Sequence, residues 1–360
     1  MREEAGQTMP SRIRYFDIAK GIAMLCVVLG HSILITNAFT PVGTGQLTIL
    51  NVCFTFHMPL FFILSGYFMK VPGKFSWEKE SRELLATYAI TATATIVVNT
   101  ILAFILRTGT KATFAGWAAA AFYGAGDLAT NYLWPVPYRI GAIWFLLALF
   151  WAHLFVYWIS RRKHPLLWVV LFFLVGYFSA KIFWLPLSIQ SGMTATVFLY
   201  FGIDARRHRL LDAFRQRPYL WILTAAIWII FIWKFTGFSM AMNNYGVYPI
   251  LDLFGSLCAC LCIMGIAMLC DKWLDMISRG LALIGRHTLA ILCVHLFEDN
   301  LIPWAVVLPW LSAITHEHMT GLVLFVVRFA IDCLLVWGLY HVPKVNEVFF
   351  PILRKRQLKV

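Results

Sequence analysis

Two polar side chains stand out in the first apolar segment of the chain. Lys20 and His31 lie eleven residues apart in a run without proline. In an α-helix, eleven residues make three turns and about 20° more, so both side chains lie on one face, about 16 Å apart along the axis. A cation and an imidazole are costly inside a membrane and mark candidate functional sites there. Histidine titrates near neutral pH, which suits it to general acid–base chemistry.

A second histidine follows in the next apolar segment. If consecutive segments cross in opposite directions, His57 falls at a depth similar to that of His31, beside the helix-perturbing Pro59. Two histidines at one level indicate a polar cavity inside a helical bundle. The alternative for His57 is a plain hydrogen bond between helices. Asp17, one turn before Lys20, is a further candidate, although it could simply pair with that lysine.

The elements that position these residues are predicted to be transmembrane helices. Of the 360 residues, 61% are hydrophobic and only 13% are charged, which excludes a soluble globular domain. Long continuous apolar runs exclude a transmembrane barrel, which would alternate polar and apolar residues. We therefore predict an all-α polytopic integral membrane protein with about ten helices in one bundle. The predicted spans are 16–36, 50–69, 84–106, 141–159, 166–185, 190–203, 219–236, 249–270, 281–302 and 321–341.

Two segments make this count less simple. The sixth span, 190–203, is short for a crossing, which needs about 20 residues, so it begins earlier or is a broken helix. The Ala-rich segment 112–124 fits an interfacial or re-entrant helix. If it crossed the membrane, the number of spans would rise to eleven.

The positive charges are distributed asymmetrically between the two sets of loops. The chain has 30 Lys and Arg and a net charge of +13, and 22 of these residues fall in alternate loops and the two tails. The opposite loops contain only Arg107, Lys111 and Arg139. This is the positive-inside pattern, which predicts cytoplasmic termini and argues against nucleic-acid binding. The basic loops also suit contact with anionic lipids.

The domain organisation follows from the spans. We expect a cytoplasmic N-terminal tail over 1–15, a transmembrane domain over 16–341 and a basic cytoplasmic C-terminal tail over 342–360. All eight cysteines fall in or at the ends of apolar segments, which predicts buried thiols without disulfides and no metal site. The loop segments 131–135 and 243–245 combine amides with aromatic rings, which suits sugar binding but also an interfacial aromatic belt.

Charged residues late in the chain have simpler interpretations. Arg328 and Asp332 are four residues apart and could neutralise each other across one helical turn. Glu298 and Asp299 lie near the outer end of the ninth span. Glu298 could raise the basicity of one of the histidines, but the sequence does not place them together.

The ordered motifs resemble those of the membrane acyltransferase-3 family, and the resemblance covers nearly the whole chain. Multi-pass O-acyltransferases of this family modify cell-surface glycans, and a fucose 4-O-acetylase-like member without an attached hydrolase domain is the expected subtype. We therefore expect the spans and loops to perform all the chemistry. The matching segments are Asp17 to His31, Phe56-His57-Met58-Pro59 with Ser65-Gly66-Tyr67, Ile143-Trp144-Phe145-Leu146, Phe198-Leu199-Tyr200-Phe201-Gly202, and Gly285-Arg286-His287-Thr288-Leu289 with Cys293-Val294-His295.

The resemblance also implies roles for single residues. Lys20 and His31 meet the family's basic-x10-His signature, and Lys79-Glu80-Ser81-Arg82 matches its Arg-x-x-Arg segment with Lys in the first position. Lysine keeps the charge but lacks the bidentate guanidinium. Cys293 stands where the family often has Tyr.

The expected reaction is transfer of an acyl group, most simply acetyl, from cytoplasmic acetyl-CoA to a sugar hydroxyl. Lys20, Lys79, Arg82 and Arg286 are the expected contacts of the phosphate end of the acyl-CoA. An extended pantetheine arm is about as long as the separation of Lys20 from His31.

The expected catalytic residues are His31, His57 and Asp17. His31 would take the proton of the acceptor hydroxyl or, as an alternative, receive the acyl group itself. His57 would orient His31 or donate a hydrogen bond to the thioester oxygen.

Two other function classes fit a bundle with buried charges. A transporter or flippase of a glycan or lipid-linked precursor is the main alternative, but it would be expected to show an internal repeat with paired broken helices, and the sequence shows none. A scaffold or sensor without catalysis is the other. The expected partners of the enzyme are acyl-CoA, a glycan acceptor and membrane lipids, with no metal; the oligomeric state is open.

Overall fold

Helices account for almost all regular structure in the protein, because a chain in lipid must satisfy its backbone hydrogen bonds internally. A computed structural model describes residues 13–129, 131–315 and 319–350. The helices are α1 (Arg14–Phe39), α2 (Thr44–Phe68), α3 (Trp77–Glu80), α4 (Ala86–Ile105), α5 (Thr110–Tyr123), α6 (Trp144–Ile159), α7 (Pro165–Ile182), α8 (Ile189–Arg207), α9 (Leu210–Gln216), α10 (Tyr219–Trp233), α11 (Pro249–Trp273), α12 (Asp275–Arg286), α13 (Thr288–Leu301), α14 (Trp304–Ile314), α15 (Thr320–Tyr340) and α16 (Asn346–Phe349).

The helices confirm the predicted all-α polytopic membrane fold. Within the described residues, seven helical segments are long and apolar enough to cross a membrane. The number rises to nine if two bent pairs count as single spans: α9 with α10, bent by 109°, and α12 with α13, bent by 70°. Every predicted span corresponds to a helix or to part of a bent pair.

The difference between nine and ten spans lies in α8, which corresponds to the predicted sixth span. This helix has 19 residues, so it begins earlier and ends later than predicted. It packs against α2, α6 and α7. Its side chains Gln190, Ser191 and Thr194 are buried by protein, so they need not be apolar. A helix that is enclosed by other helices does not contact lipid, so its sequence need not be strongly hydrophobic.

The Ala-rich segment forms α5, which is too short to cross. Its 14 residues span about 21 Å, against about 30 Å of hydrocarbon. Gly109 and Gly124 flank it with positive φ angles of 98° and 63°. Trp117 stacks on Tyr138 at a centroid distance of 4.9 Å. These features fit the predicted interfacial or re-entrant helix.

The predicted tails lie largely outside the described residues. The N-terminal tail 1–15 is described only from residue 13, and α1 begins at Arg14. The C-terminal tail 342–360 is described to residue 350, so the basic cluster at 354–356 lies outside the described part. Phe349 and Phe350 are buried, so the start of this tail packs on the bundle.

Glycines set the two helix crossings nearest the predicted site. On α2, a Cβ at Gly66 would overlap the backbone oxygen of Leu199, and on α8 a Cβ at Gly202 would overlap that of Ile63. On α12, a Cβ at Gly285 would overlap the backbone oxygen of Asp17. Small residues let backbones approach closely in membrane bundles. These contacts fix α1 and α2, which carry the histidines.

A short β-ribbon lies between α10 and α11. Strand β1 (Phe238–Ser239) pairs antiparallel with β2 (Asn244–Tyr245). In the turn, the Asn243 side chain accepts a hydrogen bond from Thr194 at 2.7 Å and donates one to the carbonyl of Gly176 at 3.2 Å. Tyr245 is fully buried. Asn243 and Tyr245 are therefore buried and hold this loop in place.

Candidate active site

Helix α1 carries Lys20 and His31 to two different cavities. The lysine cavity has a volume of about 630 Å³. Its lining includes Lys20, Lys70, Lys79, Glu80, Glu83, Ser65 and His153 together with mainly apolar residues. The histidine cavity has a volume of about 60 Å³. Since α1 runs without a break from Arg14 to Phe39, the predicted spacing of Lys20 and His31 along one helix is confirmed.

The histidine cavity contains both predicted histidines. Its lining includes His31, His57, Asp127, Arg139 and Trp144. Residues 238–241, from the β-ribbon and its turn, cover one side of it. His31 and His57 therefore line one cavity inside the bundle, as the sequence predicts.

An aromatic layer separates the two cavities. Phe61 and Phe145 line the lysine cavity, whereas Trp144 lines the histidine cavity. Phe145 packs edge-on against Phe62 at 4.8 Å between ring centroids, and its ring is tilted against that of Phe61 at 5.9 Å. We call Phe61, Phe62, Trp144 and Phe145 the aromatic layer. Lys20 and His31 thus line two different cavities, and these aromatic residues lie on the walls between them.

The hydrogen bond of His57 restricts what this residue can do. Its Nδ1 lies 2.7 Å from the backbone oxygen of Cys53. A carbonyl oxygen only accepts, so Nδ1 carries the proton and Nε2 of the neutral ring has a lone pair. His57 can therefore accept a proton through Nε2. Donating to a thioester oxygen, as the sequence suggested, would first require a second proton on the ring.

A third histidine lies beside His31. The rings of His31 and His295 are 5.5 Å apart between centroids. His295 is fully buried, and its Nδ1 lies 3.0 Å from Glu298 and 3.1 Å from Asp332. Its Nε2 is buried without a hydrogen-bond partner among the described residues. Glu298 therefore reaches His31 only indirectly, through His295.

Buried ion pairs continue this cluster, and they differ from the predicted pairing. Arg328 contacts Glu298 and Asp299, each at 2.6 Å, and Arg139 lies 3.3 Å from Asp299. Asp332, the expected partner of Arg328, faces His295 instead. The prediction failed because the carboxylates of α13 meet Arg328 across the helix interface, where the geometry allows several hydrogen bonds.

The same cluster has the donor atoms of a metal site. Ligand atoms of His295, Glu298 and Asp332 lie within 4.8 Å of one another. A metal ion here would need Glu298 as a ligand. The guanidinium of Arg328 already pairs with that carboxylate. The arrangement is therefore explained by ion pairs within the protein.

The four residues predicted to bind acyl-CoA are distributed unequally. Lys20 and Lys79 line the lysine cavity. Arg82 pairs with Glu78 on the surface, and its side chain is 48% exposed. Arg286, 46% exposed, lies 3.6 Å from the buried carboxylate of Asp17. The structure therefore brings together the two lysines but places the two arginines outside the cavity lining.

Asp17 lies far from the histidines. It is fourteen residues before His31 on α1, which is about 21 Å along the helix. Its neighbour is Arg286 on α12, where the backbones of the two helices approach closely. Asp17 thus belongs to the α1–α12 crossing near the lysine cavity, away from the histidine pair.

Several polar residues of the two cavities were not predicted as site residues, although Ser65 and Glu80 stand in motifs of the family resemblance. Lys70, Ser65, His153 and Glu80 line the lysine cavity. Near His31, the cluster around His295 was also missed. For His295 a signal existed, since it closes the late motif of the family resemblance. His153 lies in an aromatic segment and carried no such signal.

Comparison with known proteins gives one match. No curated protein and no solved structure matches the chain. The acyltransferase-3 family model, described as an acyltransferase domain, matches residues 13–341, which include α1 to α15 and both cavities. The chain is a member of the acyltransferase-3 family of membrane acyltransferases.

Proposed function

We propose that the protein transfers an acetyl group from acetyl-CoA to a hydroxyl of a sugar in a cell-surface polysaccharide or glycan precursor. The observation that carries this proposal is the position of Lys20 and His31. They lie on one straight helix but line separate cavities on either side of the aromatic layer. A donor site and an acceptor site with opposite access suit transfer across a membrane.

The lysine cavity suits the acyl-CoA donor. Its volume of about 630 Å³ falls in the range of small-molecule sites. Lys20, Lys70 and Lys79 supply positive charge for phosphates, while Leu64 and Phe68 offer apolar surface for a pantetheine arm. The positive-inside pattern puts this end of the bundle in the cytoplasm, where acyl-CoA is found. A bacterial cytoplasmic membrane, with both termini inside, is the location we propose.

The histidine cavity suits the acceptor hydroxyl. His31 is the proposed general base, and Nε2 of His57 is a second proton acceptor in the same cavity. The small volume, about 60 Å³, holds roughly four water-sized groups. That volume favours acetyl over longer acyl groups. Trp134, which is 42% exposed in the long loop before α6, offers an aromatic face to a glycan.

Replacement of the base tests the proposal. His31→Ala should lower acetyl transfer to the glycan by about 10²–10⁴-fold, because general base catalysis is lost. Transfer is measured with purified protein, acetyl-CoA and surface glycan, followed by mass spectrometry of the glycan. A deletion strain whose glycans lose acetyl groups identifies the acceptor.

A matched variant controls for the loss of a histidine. The His208 side chain is 72% exposed at the end of α8, so His208→Ala should retain wild-type transfer. Full activity of folded His31→Ala would overturn the proposed role of His31. An absence of acetyl-CoA turnover by the wild-type protein with any surface glycan would overturn the proposed function.

A further inference from the structure

A serine, a histidine and a glutamate form a hydrogen-bonded chain on the wall of the lysine cavity. Ser65 Oγ lies 2.7 Å from His153 Nε2, and His153 Nδ1 lies 2.7 Å from Glu80 Oε2. All three residues line the cavity. A hydroxyl, a base and a carboxylate that orients the base are the components of nucleophilic catalysis at serine.

The hydrogen bonds between these three side chains define where the protons lie. An ionised carboxylate only accepts, so Glu80 requires the proton of His153 on Nδ1. Nε2 then has a lone pair directed at the Ser65 hydroxyl, which is the orientation a base needs to remove its proton. The side chains of Glu80 and His153 are 7% and 12% exposed. Ser65 is partly exposed to the cavity, as a nucleophile must be.

Three separate elements hold this geometry. Ser65 lies on α2 one residue before Gly66, at the close crossing with α8. His153 lies on α6. Glu80 ends α3, directly before a π-helical turn at Ser81–Leu85. Such turns are rare and occur frequently at functional sites, because the extra residue turns neighbouring side chains away from their α-helical directions.

The residues around Ser65, His153 and Glu80 suit the binding of a thioester donor. Lys79 Nζ lies 3.8 Å from Glu80 Oε1, and Lys20 lines the same cavity. The aromatic layer ends this cavity on the side of the histidine cavity. Ser65 is eight residues beyond His57 on α2, about 12 Å along the helix. An acyl group carried into the lysine cavity therefore meets Ser65 before it can reach the histidines.

We propose that Ser65 accepts the acyl group of acyl-CoA as an ester, with His153 as its base and Glu80 orienting His153. This inference rests on the proposed function only in taking acyl-CoA as the donor. Ser65 Oγ attacks the thioester carbonyl while its proton passes to His153 Nε2. The C–S bond breaks, and the CoA thiolate takes that proton and leaves as the thiol.

The ester allows CoA to leave before the acyl group crosses the aromatic layer. The acyl group departs when a nucleophile attacks the ester carbonyl and the C–O bond to Ser65 breaks. When no sugar is present the nucleophile is water, whose proton returns to Ser65 through His153. This gives slow hydrolysis of acyl-CoA to a carboxylate and CoA.

Acetyl labelling of the purified protein without a sugar tests this proposal. Wild-type protein mixed with acetyl-CoA should release a burst of about one CoA thiol per protein, the sign of an acyl-enzyme. Peptide mass spectrometry should locate the acetyl group on Ser65. Ser65→Ala should show neither burst nor label. Ser65→Cys should be labelled as a thioester that hydroxylamine removes, which a purely structural serine would not produce.

Variants of the other two residues separate catalysis from folding. His153→Ala and Glu80→Gln should slow acylation by about 10²-fold or more, since the base or its orienting charge is lost. The Ser160 hydroxyl donates a hydrogen bond to the backbone oxygen of Tyr157 just after α6, and it does not line the lysine cavity. Ser160→Ala is therefore the matched control and should be labelled fully. His31→Ala should still be labelled on Ser65 although glycan transfer is lost.

Two outcomes would overturn the inference. One is folded Ser65→Ala that transfers acetyl to the glycan at the wild-type rate. The other is wild-type protein that acetylates the glycan but never carries acetyl on Ser65. Both would leave the proposed acetyltransferase function intact, so the failures of the two proposals are distinguishable.

Discussion

The three histidines near the histidine cavity differ in what their ring nitrogens contact. His57 has Nδ1 tied to a backbone oxygen, and His295 has Nδ1 between two carboxylates. His31 lies beside both, on the wall of the cavity. The carboxyl groups of Glu298, Asp299 and Asp332 lie in this cluster with the guanidinium groups of Arg139 and Arg328. Nearby carboxylates favour the proposed uptake of a proton by His31, because opposite charges attract strongly away from water.

Two basic residues of one short motif are expected to differ in their contribution to donor binding. Lys79 lines the lysine cavity, whereas Arg82 pairs with Glu78 on the exposed side. Lys79→Ala should raise the KM for acetyl-CoA by roughly tenfold, the effect of losing one charged contact of about 1.5 kcal/mol. Arg82→Ala should change it less than threefold, since exposed ion pairs contribute little. Steady-state kinetics with varied acetyl-CoA measures both.

The comparison decides whether the basic motif acts as a unit. Equal increases of KM in the two variants would contradict the distinction drawn from the cavity lining. In that case Arg82 would contact the phosphates directly, as the family resemblance implies for both positions.

Residues close in sequence were predictable, and residues brought together over long distances were not. Lys20 and His31 share one helix, so the helical repeat alone places them on one face. Ser65 and His153 are 88 residues apart, and His153 and Glu80 are 73 apart. Their contact depends on how α2, α3 and α6 pack, which a single sequence does not state.

At the scale of helices, the glycines of the resemblance motifs have a common structural role. Gly66, Gly202 and Gly285 belong to three separate motifs, and each lies where a second helix backbone comes too close for a Cβ. The motifs therefore combine chemistry with packing. Ser65 is followed by Gly66, so the proposed nucleophile is held next to a fixed crossing.

Adding one methyl group at a crossing should destabilise the bundle. In Gly202→Ala the new Cβ overlaps the backbone oxygen of Ile63, so α2 and α8 must separate at a cost of about 1–3 kcal/mol. The apparent Tm in detergent should fall. Gly280 on α12 has open space around it, so Gly280→Ala should keep or raise the Tm through lower backbone entropy of the unfolded chain. An unchanged Tm for Gly202→Ala would show that the crossing can relax.

Helix prediction from hydropathy worked where a helix faces lipid. It was weakest for α8, because Gln190, Ser191 and Thr194 are buried by protein and need not be hydrophobic. The bends between α9 and α10 and between α12 and α13 were also not anticipated. Pro218 lies at the first bend and gives a local signal, while His287 at the second gives none.

At the scale of the whole molecule, the two cavities form a series with unequal volumes. The lysine cavity offers about 630 Å³ and the histidine cavity about 60 Å³, with the aromatic layer between them. The layer is thin, since the adjacent residues Trp144 and Phe145 each face one cavity. A charged cofactor cannot pass through such a layer without losing its hydration, whereas an acetyl group can. For the proposed function, the aromatic layer therefore keeps the cofactor out of the histidine cavity and lets only the acyl group cross.

Thinning the aromatic layer should change which acyl group the enzyme accepts. Phe145 packs on Phe61 and Phe62, so Phe145→Ala removes a ring that separates the cavities. Each additional methylene that the new space buries contributes about 0.8 kcal/mol, so transfer from butanoyl-CoA should rise roughly tenfold relative to acetyl-CoA. The measurement is the ratio of the two kcat/KM values with the same glycan.

A ratio measured within one variant does not depend on the fraction of protein that is folded, so a general loss of stability cannot imitate the effect. Phe155→Ala is the control, because Phe155 packs against Trp151 and Phe172, and neither it nor those two residues line either cavity. Its ratio should equal that of the wild type. If Phe145→Ala also leaves the ratio unchanged, the acyl group does not pass Phe145, and a route between the cavities through the aromatic layer is excluded.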